Sequence, residues 1–162
     1  MSSESDSQAL KVDVLSRVAP FSQLSKDKLT QIAQIAQLER FKYGDKLFSE
    51  GDAGDKFYIV VEGKIRIGRS IVGMGEEALD ILDAGQYFGE LALIDEGPRS
   101  ADAIVHQSCV LLSITQADFE ELLMLNQQLA YEVLWEFCRV LASRLRAMND
   151  KLTFLAVSSK FE

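Results

Sequence analysis

Residues 57–71 read FYIVVEGKIRIGRSI. Two runs rich in β-branched and aromatic side chains flank Gly63, and such side chains suit a pleated, half-buried strand. Gly63 lacks a Cβ and takes φ > 0 readily, so the stretch reads as two strands closed by a tight hairpin turn. The texture continues outward in both directions. From Arg40 to Thr115 glycine recurs at positions 44, 51, 54, 63, 68, 73, 75, 85, 89 and 97, and CVLLSIT near the end is strand-like again. Short strands at a spacing of about 8 to 12 residues predict a sandwich or barrel. The middle of the chain is therefore expected to be an antiparallel β-roll.

Both ends change character. Residues 9–18 (ALKVDVLSRV) carry apolar side chains at helical intervals up to Pro20. A second helix starts behind Ser25 as N-cap, with Leu29, Ile32, Ala33 and Ala36 on one face. After the roll, Thr115 is placed to cap QADFEELLML, with Asp118 completing a capping-box-like arrangement. From Asn126 to Phe154 there is no Pro or Gly, and Leu129, Val133, Phe137, Val140, Leu141, Leu145, Met148 and Leu152 recur three or four apart. That predicts one long helix with one apolar stripe. At ~40 Å it is longer than a small β-roll can cover, so the stripe is expected to be shared with a second copy, a homodimer through residues 126–154. The expected organisation is a polar tail 1–8, helices 9–38, the roll 39–115, a hinge and long helix 116–155, and a tail 156–162. The fold class is α+β.

Composition excludes several functions. The 162 residues suffice for one domain with a real core, and 48% hydrophobic with 26% charged residues is ordinary for a soluble protein. A formal net charge of −8 disfavours binding to a polyanion. The start, MSSESDSQ, has neither the basic nor the apolar region of a signal peptide, and no apolar run approaches a membrane span. A cytoplasmic protein is expected, with no membrane partner. Cys109 (CVLLSI) and Cys138 (WEFCRVL) both lie in apolar settings and read as buried, inert thiols. A single histidine, His106, cannot supply a multi-histidine metal site, and any Ser/His/Asp arrangement would have to use that same residue. Hence neither catalytic nor metal residues are assigned, and no cofactor.

The chemistry concentrates in residues 87–105, YFGELALIDEGPRSADAIV. Gly89 lets backbone approach a ligand, and Glu90-Leu91-Ala92-Leu93 suits one short helical turn whose leading N–H groups attract anions. A carboxylate at Glu90 would repel a phosphate but can accept a hydrogen bond from a sugar hydroxyl. Arg99, behind the rigid Gly97-Pro98 pair, offers a planar fork for two oxygens of one phosphate. The bland alternative is that Glu90 and Arg99 pair with each other across a loop. Asp55, Lys56 and Arg66 are weaker candidates, since charges on strand edges are usually only solvated.

FGELALIDEGPRSA (88–101) resembles the phosphate-binding cassette of the cyclic nucleotide-binding domain family, which includes catabolite-activator-type regulators, cyclic-nucleotide-dependent kinases and gated channels. The likeness extends through YGDKLFSEGDAGDKFYIVVEGKIRI and LDAGQYFGE, and covers about residues 20–155. It implies a double-stranded, jelly-roll-like β-roll with N-terminal helices, a cyclic nucleotide seated in the roll, and a long C-terminal helix that closes on the base. Carried over by position, Glu90 would accept the ribose 2′-hydroxyl and Arg99 would bind the exocyclic phosphate oxygens. Backbone N–H groups at Gly89, Leu91 and Ser100 would hold ligand, with Ala92 and Ala101 completing the cassette wall. Ser100 would add its hydroxyl to the phosphate or to a guanine amino group, which leaves the base open between cAMP and cGMP. LASRLRAMNDKL (141–152) resembles the dimer helix of the catabolite-activator branch. Met148 departs from that branch's hydroxyl pattern, and Asn149 reads equally as a base contact or as solvated helix face.

The resemblance thus implies a sensor that binds cAMP first and cGMP second, and reports through helix rearrangement to an unknown effector protein. The alternative is the ligand-sensing half of a catabolite-activator-type transcription factor. Past the long helix the sequence to Glu162 shows no helix-turn-helix and no basic recognition segment, so direct DNA binding is not expected.

Overall fold

The computed structural model describes residues 2–160; Met1 of the polar tail and Phe161-Glu162 of the C-terminal tail lie outside them. The order is α1 (Ser2–Ser16), α2 (Lys26–Ile35), β1 (Gln37–Phe41), β2 (Lys46–Phe48), β3 (Lys56–Ile71), β4 (Gly75–Leu82), β5 (Tyr87–Phe88), a 3-10 turn (Glu90–Leu93), β6 (Asp102–Thr115), α3 (Gln116–Leu125) and α4 (Gln127–Ser158). The six strands are antiparallel in the order β1-β6-β3-β4, with β2 added to β6 and β5 to β3. An α+β chain with a central β-roll follows, as the glycine-punctuated strands predict.

Gly63 does not turn the chain. β3 continues through it from Lys56 to Ile71, paired with β6 as far as Gly68, and the register shifts between Glu62 and Lys64. The glycine is a bulge: φ is +87°, and a Cβ would meet Ser108 O at 2.4 Å and Cys109 Cα at 2.8 Å. A left-handed residue inside a strand bends it and sharpens its twist, which lets one long strand wrap the roll. The actual hairpin lies further on, where Met74 N–H bonds Ile71 O and β3 returns as β4.

Alternation along β3 divides the core. Phe57 and Ile59 pack with Leu112 and Ile114 against α1, α2, α3 and the start of α4, through Leu15, Phe21, Ile32, Phe119, Leu129, Val133 and Phe137. Tyr58, Val60 and Ile65 face the roll interior with Phe88, Val105 and Leu111. The first layer fixes where α4 leaves the roll, and the second forms the floor beneath the cassette.

The helices differ from expectation at their ends. The polar start is helical from Ser2, where the apolar spacing marks residue 9; Gln8 Nε2 bonds Thr30 O and Lys11 Nζ bonds Ala36 O, tying α1 to α2. Helix propagates outward from such a nucleus at little cost. Thr115 caps α3 as expected, accepting from Asp118 N–H, and Asn126 caps α4 by accepting from Leu129 N–H. α4 extends to Ser158, past the expected boundary at residue 155.

α4 also carries two stripes where one is expected. Leu129, Val133 and Phe137 are buried on the roll, whereas Leu145, Met148 and Leu152 are exposed. Cys109 is buried, and burial pushes its thiol up. Cys138 is exposed, contrary to the reading of WEFCRVL, because it follows Phe137 by a 100° step that carries it off the buried face.

Candidate functional site

β5 delivers the chain to the cassette by pairing Phe88 with Tyr58 of β3. At Gly89 the backbone turns left-handed (φ +73°), and a Cβ there would lie 2.6 Å from Arg99 Nη1 and 3.0 Å from Lys56 O. Glycine is needed twice over, for the torsion and for the space. The 3-10 turn follows, closed by Ala92 N–H to Gly89 O and Ile94 N–H to Leu91 O.

Arg99 is held by backbone on both sides. Its N–H donates to Asp52 O (2.7 Å), and its carbonyl accepts from Gly51 N–H (2.8 Å). The guanidinium lies over the Phe48 ring, 4.0 Å from the centroid, and Nη2 donates to Lys56 O at 2.8 Å. The residue is only 8% exposed, and Nε is buried with no hydrogen-bond partner. Burial draws its pKa down from the usual arginine value, opposed by Tyr58, Asp55 and Asp52. Arginine nonetheless stays protonated in proteins. Tyr58 beneath is pushed up to about 12, first by burial and then by Glu39, with Arg99 opposing.

Glu90 is also 8% exposed, and its carboxylate pairs with Arg144 of α4. Arg144 in turn lies over the Tyr87 ring, 5.3 Å from its centroid. The bland alternative therefore fails: Glu90 faces α4, and Arg99 faces the Lys56 carbonyl. A cavity of about 210 Å³ is lined by both, together with Gly89, Leu91, Ala92, Ser100 and Ala101, with Phe48, Gly54, Ile67 and Phe88 as further walls. Ser100 is exposed at the rim, its carbonyl accepting from Arg69 Nε at 2.9 Å.

Asn149 is not brought to the cavity. It is exposed on α4, five residues beyond Arg144 and so ~7.5 Å further along the axis. Lys56 pairs with Glu39 (3.3 Å) and Arg66 with Glu76 (2.9 Å); neither side chain lines the cavity, nor does Asp55. Phe48, Gly54, Ile67 and Arg144 escaped the sequence reading. Phe48 and Gly54 lie inside YGDKLFSEGDAGDK without a chemical mark of their own. Arg144 carried the better signal, a cation at the level of the helix where the roll-facing line Leu129–Val133–Phe137 continues.

These parts define a β-roll whose cavity is lined by one buried cation and one buried carboxylate. Residues 38–126, more than half of the chain, match the model of the cyclic nucleotide-binding domain, and the chain belongs to that family. It is 31% identical over 136 residues to the Cyclic AMP receptor protein of Thermus thermophilus, covering 84% of this chain and 61% of that one. With human cGMP-dependent protein kinase 2 it shares 33% identity over 67% of this chain and 15% of the kinase. The crystal structure of the N-terminal domain of a transcriptional regulator from Streptomyces coelicolor A3(2) superposes with a TM-score of 0.76, at 31% identity, over 86% of this chain and 95% of that one. The chain spans about three fifths of the length of the first curated relatives it matches. Among the described residues, no helix is long and apolar enough to cross a membrane.

Proposed function

We propose that this protein is a cytoplasmic regulatory sensor, not an enzyme, that binds a cyclic nucleotide and passes the event through α4 to an effector protein. The reading rests on Arg99, whose buried guanidinium keeps one donor unpartnered beside the cavity. An unmet buried donor is costly, and a phosphate oxygen is the acceptor that suits the fork. In this reading Arg99 takes the exocyclic phosphate oxygens, and Glu90 accepts the ribose 2′-hydroxyl. The N–H groups of Gly89, Leu91 and Ser100 add donors, while Ala92 and Ala101 keep the wall thin. The cavity of about 210 Å³ is smaller than the ~300–1,000 Å³ typical of whole-ligand pockets. It suits sugar and phosphate, with the base extending toward α4 and Asn149 as its candidate polar contact.

Glu90 would then touch ligand and Arg144 together, so nucleotide binding bears on the position of α4. A ligand moves such an element only through its differential affinity for the two states. The ligand is cAMP first and cGMP second, a ranking supported by the cyclic AMP receptor protein among the relatives, with the cGMP-dependent kinase as counterweight. The chain acts as a homodimer through helix residues 126–154. A second reading, the ligand-sensing half of a catabolite-activator-type transcription factor, is favoured by the Streptomyces regulator domain that superposes on nearly the whole chain.

Thermal unfolding with cAMP, cGMP and cyclic dinucleotides side by side tests the ligand class. At a hundredfold excess over Kd the bound state gains about 2.7 kcal/mol, which raises Tm by roughly 5–10 °C. The order expected is cAMP, then cGMP. A melting curve unmoved by all of them would remove the cyclic-nucleotide reading.

A further inference from the structure

Ser100 and Ala101 line the cavity next to Arg99, and the peptide they share is held by a distant side chain. Arg69 Nε donates to the Ser100 carbonyl at 2.9 Å, across 31 residues of chain. Arg69 stands on the outer arm of β3, where that strand pairs with β4 opposite Glu77. It is braced in turn: its Nη2 lies 3.1 Å from Glu50 Oε1, and Glu50 N–H donates to Asp102 Oδ1 at 2.6 Å. Arg69 is no wall of the cavity; with Arg66, Glu76, Glu77 and Asp102 it lines a separate recess. In a trans peptide the C=O and the following N–H point opposite ways. Holding the Ser100 carbonyl therefore turns the Ala101 N–H away from Arg69.

We propose that Arg69 is a positioning residue for the anion site: by holding the Ser100 carbonyl it aims the Ala101 N–H into the cavity, as a phosphate donor alongside Arg99. The inference deepens the cyclic-nucleotide reading above and rests on it. Among the described residues the Ala101 N–H has no hydrogen-bond acceptor, although Ala101 is only 8% exposed. Buried N–H groups without a partner are rare. This one follows Arg99 by two residues, and Arg99 Nε is unmet as well. Two unmet donors on one wall suit a single anion. The flanks of the segment are fixed by backbone, Pro98 bridging Ala53 and Arg99 bonding Gly51 and Asp52 on one side, and Asp102 pairing with Gly68 on the other. Between them the Ser100 carbonyl depends on Arg69. The β3–β4 arm thereby becomes a brace for the site.

Arg69→Met keeps the aliphatic stem and removes the donors. Arg66→Met is the control, since it removes the Arg66–Glu76 pair (2.9 Å) from the same arm and lines no part of the cavity. The Arg69 and Glu50 side chains are 49% and 42% exposed, so the pair adds little to stability. Both variants should melt within roughly 4 °C of wild type. Calorimetric titration with cAMP should show Arg69→Met weakened roughly tenfold, the lower end for one hydrogen bond to a charged group. Arg66→Met should bind as wild type, and Arg69→Lys, which keeps a donor on a stem of similar length, should recover most of the affinity. In heteronuclear NMR spectra, saturating cAMP should move the Ala101 amide proton of wild type downfield, as an N–H gaining a charged acceptor moves, and far less in Arg69→Met. Equal cAMP affinity in Arg69→Met and Arg66→Met would overturn the inference, as would a wild-type Ala101 amide that bound cAMP leaves in place. If wild type bound neither cAMP nor cGMP while Arg69→Met still displaced the Ala101 amide of the free protein, the hook would stand and the nucleotide reading would fall.

Discussion

Gly89 and Arg99 fit because each leaves room for the other: the glycine hydrogen sits where a Cβ would be 2.6 Å from Nη1. The arginine then reaches the Lys56 carbonyl across the gap and lays its plane on Phe48. Tyr58, in the floor below, has a consequence for pH. Its pKa rises from 10.0 to about 12 in the folded protein, chiefly through burial. A folded-state pKa above the unfolded value means that the stabilisation is complete below pH 10 and is lost as pH rises toward 12. The amount is roughly 2–3 kcal/mol. Thermal melts between pH 9 and 12 should therefore show a falling Tm that is blunted in Tyr58→Phe; equal slopes in both proteins would reject the assignment to this phenol.

At the scale of elements, Gly63 marks where sequence reasoning and structure part. A glycine between two β-branched runs signals φ > 0, and the torsion was legible, but φ > 0 serves a hairpin and a bulge alike. The decision lies in β6, whose Ser108 and Cys109 backbone closes over Gly63, a contact between residues far apart in sequence. Gly63→Ala should cost at least about 2 kcal/mol from torsional strain and overpacking, lowering Tm by roughly 4–8 °C. An unchanged Tm would mean that the bulge relaxes. The Thr115 cap and the face of α2 were readable because they are local. The division of α4 into two stripes was not, since apolar spacing alone does not say which residues the roll covers.

For the whole molecule, the fold joins three distant stretches at one cavity: Phe48 and Gly54 before β3, the cassette after β5, and Arg144 on α4. The cassette was legible because its glycines, carboxylate and guanidinium are contiguous. Arg144 was not, because its partner Glu90 lies 54 residues earlier and only the packing of Leu129, Val133 and Phe137 on the roll aligns them. In this arrangement α4 both pairs with the carboxylate of the site and carries the exposed apolar stripe. Everything proposed for its movement depends on an anion reaching Arg99. Calorimetric titration of cAMP into the wild-type chain and into Arg99→Ala tests this most directly. Saturable 1:1 binding per chain is expected for wild type, weakened by about 2–5 kcal/mol in the variant, the cost of truncating a buried charge pair. Equal affinity in the two proteins would contradict the assignment of Arg99 as the phosphate clamp.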